Sequence, residues 1–173
     1  IIRNKLGVSI FSDNDEALEE VVVRLLEQGK QTLATAESCT GGLIADRITN
    51  VWGASEVFLA GYVTYANSAK SDILNVDSKL IDKHGAVSEA VSRAMADGAR
   101  TRAASTFGLA RTGIAGPGGG SEEKPVGTVY IALASRDSET VVRKLFFPTD
   151  RETFKQLAAQ TALDLLRRRL LKE

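Results

Sequence analysis

The sequence of 173 residues holds one cysteine and one histidine. Cys39 therefore has no internal disulfide partner, and a single thiol suits a reducing, cytoplasmic compartment. One thiol and one imidazole cannot build the usual thiolate or multi-histidine zinc site, so no metal is expected. Net charge is missing as well, because 22 lysines and arginines balance 22 aspartates and glutamates. That balance gives no electrostatic reason to expect a nucleic-acid partner. Apolar runs fall far short of a membrane span, no signal peptide is visible, and no membrane partner is expected. The basic run Arg167-Arg168-Arg169 reads as a solvated helix end complementing the helix dipole.

What is present is an ordinary globular composition, 43% hydrophobic and 25% charged. The length fits one domain, residues 1–173, with a sizeable core. Residues 1–12 are poorly informative. Asp15 to Gln28 has amphipathic helical spacing and Gly29 as its stop. Gln31 to Ala36 suits a buried strand, followed by a tight turn and a helix from Leu43 to about Thr49. Val57 to Tyr65 is the next strand, and Asn67 caps a short helix containing Lys70. Asp77 and Ser88 cap two further helices, the second running to about Thr106. Leu109 to Ala115 is a third strand. Gly127 to Ser135 and Glu139 to Phe147 form an antiparallel hairpin. Thr149 to Glu152 reads as a capping box for a last helix, with Phe154, Leu157, Thr161, Leu165 and Leu166 inward. Helices alternating with early strands predict a three-layer α/β/α sandwich on a mixed sheet of about five strands.

Open α/β sheets bind ligands beyond the carboxyl ends of their strands. Three unusual segments occupy such ends: Glu37 to Gly42, Tyr65 to Lys70, and Gly113 to Gly120. Parallel strands would crowd all three onto one edge. Ser38, between a strand and a helix N-terminus, can accept a phosphate, cap the helix or act as a nucleophile. Gly41 and Gly42 leave amides free for an oxyanion or a phosphate. Cys39 is the stronger intrinsic nucleophile but equally a small buried hydrophobe. Glu37 suits a substrate contact or a support for one. Lys70 is either a surface charge or, desolvated in the crevice, a base for a serine. His84, beside Gly85 at a helix end, reads as structural. The glycine loop Gly116 to Gly120 matches neither common phosphate fingerprint, so a flexible turn and a ligand loop both stay open.

Taken together, these residues resemble a known family. The segments Ala36-Glu37-Ser38-Cys39-Thr40-Gly41-Gly42, Tyr65-Ala66-Asn67 with Lys70, His84-Gly85-Ala86-Val87-Ser88 and Gly113-Ile114-Ala115-Gly116-Pro117 carry the likeness. Ser121 to Val129 extends it. In this order they are similar to the CinA C-terminal domain family, from about residue 14 to the end. One departure is Thr112, where relatives often have serine; the hydroxyl is kept.

The resemblance implies nicotinamide-nucleotide amidase activity: nicotinamide mononucleotide and water give nicotinate mononucleotide and ammonia. Many members carry a further N-terminal domain not seen in these residues, which implies a stand-alone amidase. It implies a homo-oligomer and no cofactor. Ser38 falls on the family's serine, Tyr65 and Lys70 on its tyrosine and lysine, and Arg151 on an arginine before the last helix. Substrate contacts are then expected from Glu37, Cys39, Thr40, Gly41 and Gly42, from Asn67, and from Thr112, Gly113, Gly116 and Gly118. Arg151, beside a capped helix, offers a cation and a helix N-terminus to the phosphate. Ser55 is a further candidate for ribose or phosphate. The rival reading is a non-catalytic nucleotide-binding or protein-interaction module linked to competence or DNA damage.

Overall fold

The computed structural model describes residue 7 and residues 10–172. Of the uninformative first twelve residues, 1–6, 8 and 9 lie outside the described ones. In chain order the elements are α1 (Leu18–Gln28), β1 (Leu33–Glu37), α2 (Leu43–Thr49), a 3-10 turn (Ala54–Glu56), β2 (Phe58–Val63), α3 (Asn67–Leu74), α4 (Ser78–His84) and α5 (Glu89–Ala103). They continue with β3 (Phe107–Gly113), β4 (Thr128–Ser135), β5 (Val141–Phe146) and α6 (Arg151–Leu170). The five strands form one mixed sheet in the order β2-β1-β3-β4-β5. β1 pairs in parallel with β2 and β3, while β4 runs antiparallel to β3 and to β5. The expected α/β architecture and hairpin are those observed.

Helices cover both faces of the sheet, and the two faces differ in side-chain size. Leu33, Leu109, Val129, Ile131 and Leu133 point to one face, where they pack with Val22 and Leu26 of α1, Ile44 and Ile48 of α2 and Leu163 of α6. Ala34, Ala36, Ala110, Ala132 and Ala134 point to the other, under Val91, Met95, Ala96 and Ala99 of α5. Period-two alternation thus sorts large side chains from small ones rather than apolar from polar, because both faces are buried. Small side chains let α5 lie close to the sheet. A Cβ at Gly108 would meet the Ala96 carbonyl oxygen at 2.2 Å.

Several local expectations shift. Asn67 is the first residue of α3 rather than its cap; Ala66 holds the cap position and no side chain accepts there. α5 stops at Ala103, because Ala104 turns left-handed at φ 53° and sends its amide back to the last turn. Asp150, not Thr149, caps α6 and accepts from the amides of Glu152 and Thr153 at 3.0 Å each. A carboxylate is the stronger acceptor, and Thr149 donates its hydroxyl to that same carboxylate. Those hydrogen bonds lower the Asp150 pKa to about 2. On α6 the inward stripe is Phe154, Ala158, Ala159, Ala162, Leu163 and Leu166. Leu157, read as inward, is 41% exposed; Thr161 and Leu165 are half-buried on the flank of that stripe. The basic run divides too. Arg167 is buried and paired with Asp164, which also bridges to Arg168.

Gly98 tests the close packing of α5. Helix propensity alone favours Gly→Ala by about 1 kcal/mol. A Cβ there would meet the Leu74 carbonyl oxygen at 2.2 Å, so packing reverses the sign. Gly98→Ala is expected to destabilise the fold by about 1–3 kcal/mol in chemical denaturation.

Candidate active site at the carboxyl edge of the parallel strands

Parallel pairing brings the ends of β1, β2 and β3 to one edge, with Glu37 level with Val63 on one side and Arg111 on the other. The chain leaving β2 stays attached to β1, because the Thr64 amide donates to the Glu37 carbonyl at 2.8 Å. α3 then carries Lys70 back over the end of β1. The Lys70 amine lies 3.4 Å from Ser38 Oγ. It also donates to the carbonyls of Thr64 at 2.9 Å and Tyr65 at 3.2 Å. Lys70 is 1% exposed and Ser38 9%. Burial disfavours the ammonium form and lowers the Lys70 pKa below the ordinary lysine value, with nearby Cys39 opposing the shift.

Glu37 answers the choice left open for it. Its buried carboxylate accepts from the amides of Gly42 at 3.2 Å, Ile44 at 3.1 Å and Ala45 at 2.9 Å. It therefore closes the N-terminus of α2 instead of facing the crevice. Gly42 holds the cap position with φ 100°, a conformation that favours glycine. The Gly41 amide is also used, donating to the Ser38 carbonyl at 3.0 Å. The glycine amides expected to be free are thus both engaged. In this turn the amides of Cys39 and Thr40 meet no acceptor among the described residues. Thr40 Oγ1 and Thr64 Oγ1 are buried without hydrogen-bond partners.

Tyr65 and Arg151 meet at the rim. Arg151 donates to the Tyr65 hydroxyl at 3.2 Å and to the Gly116 carbonyl at 2.9 Å. Tyr65 is 61% exposed, and its link to Lys70 runs through the backbone carbonyl and not the phenol. Arg151 opens α6, but Asp150 already occupies that helix terminus. An anion there would meet the guanidinium and not free amides.

The other candidates separate. Gly113 packs under the serine turn; a Cβ there would meet Cys39 Sγ at 3.1 Å and the Thr128 carbonyl oxygen at 2.8 Å. Thr112 donates to the Ala86 carbonyl at 2.9 Å and is buried. Gly118 lies in an exposed loop and Asn67 is exposed on the first turn of α3. Ser55 sits in the turn before β2, at the opposite end of that strand from the crevice. A parallel strand delivers only its carboxyl end to this edge. His84 ends α4, where its carbonyl accepts from Lys124 at 2.6 Å. Arg111 was missed by the sequence reading. It is wholly buried on β3, its backbone carbonyl accepts from the Ser38 amide, and Nη2 lies 3.4 Å from Cys39 Sγ. The available signal was a lone charge in an otherwise apolar strand.

Comparisons with known proteins agree with this arrangement of motifs. The CinA C-terminal domain profile matches residues 15–170. A CinA-like protein of Desulfosudis oleivorans is 52% identical over 170 residues, covering 98% of this chain and 41% of that protein. Another, from Geobacter sulfurreducens, is 52% identical over 171 residues, covering 99% and 41%. The chain thus spans well under half the length of these relatives. Among solved structures, the competence/damage inducible protein CihA of Agrobacterium tumefaciens is 39% identical, with a TM-score of 0.81, covering 87% of this chain and 94% of that one. A CinA superfamily protein of Escherichia coli is 33% identical, with a TM-score of 0.84, covering 94% and 97%. Sequence motifs, sheet order and these matches have one explanation: the chain belongs to the CinA C-terminal domain family.

Proposed function

We propose that this chain is an amidohydrolase that converts nicotinamide mononucleotide and water to nicotinate mononucleotide and ammonia. The observation that carries the reading is the buried Lys70 amine 3.4 Å from the Ser38 hydroxyl, with two carbonyls as its other partners. A neutral amine has two N–H bonds and one lone pair. With both hydrogens donated to Thr64 and Tyr65, the lone pair is left for the serine proton. A serine hydrolase uses an amine desolvated at a hydroxyl as its base, whereas a module that only binds nucleotides or proteins does not require one.

In the proposed reaction Ser38 Oγ attacks the carboxamide carbon while Lys70 takes its proton. The developing oxyanion is held by the amides of Cys39 and Thr40, in place of the glycine amides that Glu37 and Ser38 already engage. Lys70 returns the proton to the departing nitrogen, which leaves as ammonia. Water then attacks the nicotinoyl ester, with Lys70 again as base, and frees the acid. None of these steps calls on a metal or cofactor. Tyr65 supports Lys70 through its carbonyl, and its phenol holds Arg151 at the rim for the phosphate. Among the described residues no helix is long and apolar enough to cross a membrane. The lone free thiol of Cys39 agrees with a reducing, cytoplasmic setting.

Ammonia release from nicotinamide mononucleotide is the direct test, and its absence would overturn the reading in favour of a binding module. Ser38→Ala is expected to abolish release with the fold intact. Cys39→Ala retains turnover, reduced by about a hundredfold at most. The reverse pattern would make Cys39 the nucleophile.

The pH profile follows from the direction of the Lys70 shift. The base must be neutral, so kcat/KM rises with pH along a limb centred below the ordinary lysine value of 10.5. Lys70→Arg keeps a cation that cannot serve as base, and loses about 10²–10⁴-fold in kcat at every pH. Stability carries the same sign. The unfolded chain binds this proton more tightly, so the contribution is complete above the ordinary lysine value. It is lost as pH falls toward the folded one.

Arg151→Ala is expected to cost the mononucleotide reaction about 1.5–3 kcal/mol, the worth of a charge-assisted contact. It should leave the riboside reaction nearly unchanged. Steady-state kinetics on both substrates decide, since equal losses would show that Arg151 positions Tyr65 and the glycine loop rather than the phosphate.

A further inference from the structure

Arg111 and Arg167 are the largest of the fully buried side chains among the described residues, and Arg111 is 0% exposed. A charge so placed normally sits against a carboxylate. Here no carboxylate among the described residues forms an ion pair with it. Its guanidinium donates to Cys39 Sγ at 3.4 Å and to the Lys155 carbonyl at 3.5 Å. It lies over the Phe154 ring at 5.3 Å, and Nε has no hydrogen-bond partner. Its neighbour on β1, Glu37, attracts it at longer range, but the carboxylate is hydrogen-bonded to the amides that open α2. Packing alone does not require such a residue, since an apolar side chain of similar length would fill the space without the desolvation cost.

What Arg111 touches gives its role. Its backbone carbonyl accepts from the Ser38 amide at 3.2 Å, and its guanidinium grips the side chain of the next residue, Cys39. The Ser38 carbonyl is held in turn by the Gly41 amide. The peptide unit joining Ser38 to Cys39 is therefore anchored before, at and after its plane. The N–H of Cys39 is the group of that unit with no acceptor among the described residues. We propose that Arg111 is a positioning residue that fixes the Cys39 amide as an oxyanion donor, with the Cys39 thiol as its handle rather than as a nucleophile. The contacts to Phe154 and Lys155 tie the same turn to α6, the helix that carries Arg151.

The inference rests on Ser38 being the nucleophile, and a fluorophosphonate probe tests both without any nucleotide. Ser38 Oγ bonds to phosphorus, the P–F bond breaks, fluoride leaves, and Lys70 takes the hydroxyl proton. Arg111→Met keeps the length and removes the charge. It is expected to keep the wild-type melting temperature or exceed it, while labelling about ten- to hundredfold more slowly, the scale of a misplaced catalytic group. Ammonia release should fall in kcat with KM little changed. Cys39→Ala probes the contact from its other side and guards against an unfolded Arg111 variant. It should slow labelling to a similar degree, Cys39→Ser should recover most of the rate because it keeps an acceptor, and the double variant Arg111→Met/Cys39→Ala should be no slower than either single one. Labelling of both single variants at the wild-type rate would overturn the role of Arg111 and leave Ser38 standing. A wild-type Ser38 that does not react would remove the nucleophile, and the positioning role with it.

Discussion

Parallel hydrogen bonding of β1 to β2 on one side and β3 on the other delivers three chain crossings to a single edge. The contacts among Ser38, Lys70 and Arg111 are a consequence of that pairing. Ser38 follows β1, the carbonyls of Thr64 and Tyr65 follow β2, and Arg111 and Gly113 end β3. α3 can place an amine on Ser38 only because the Thr64 amide keeps the end of β2 on the Glu37 carbonyl. The antiparallel strands β4 and β5 contribute core to this arrangement rather than chemistry, and they complete the layer on which α5 and α6 pack.

Competition for backbone amides shapes the site as much as topology does. A helix N-terminus next to a nucleophile invites an oxyanion, and one next to an arginine invites a phosphate. In this molecule both termini are closed by the chain's own carboxylates, Glu37 at α2 and Asp150 at α6. A fixed internal carboxylate offsets the orphan amides in the absence of any ligand and gives each helix a defined start. The polar groups left at the edge include the amides of Cys39 and Thr40, the Ser38 hydroxyl, the Lys70 amine and the Arg151 guanidinium, which are the groups the proposed reaction uses.

Much of this was legible in the linear chain. Element order, the hairpin and the location of the three segments follow from periodicity, caps and glycines, because those signals act over a few residues; the choice of Ser38 and Lys70 among the polar residues of those segments came from the resemblance to the family. Ser55 and Leu157 show where such signals stop. Ser55 has suitable chemistry, but strand direction carries it to the far end of β2. Leu157 has suitable spacing, but Phe154 seats against Arg111 and Phe147 and turns the buried stripe onto the alanines of α6.

The sequence by itself determined which segments become strands and helices and which residues with useful chemistry follow strand ends. Tertiary structure decided which polar groups remain unpaired there. Glu37 and Arg111 are level with one another on adjacent strands, yet the carboxylate turns to the amides of α2 and the guanidinium to Cys39 and α6. That division depends on where two helices sit against the sheet, and a hydrogen-bond partner some seventy residues away leaves no mark on local periodicity.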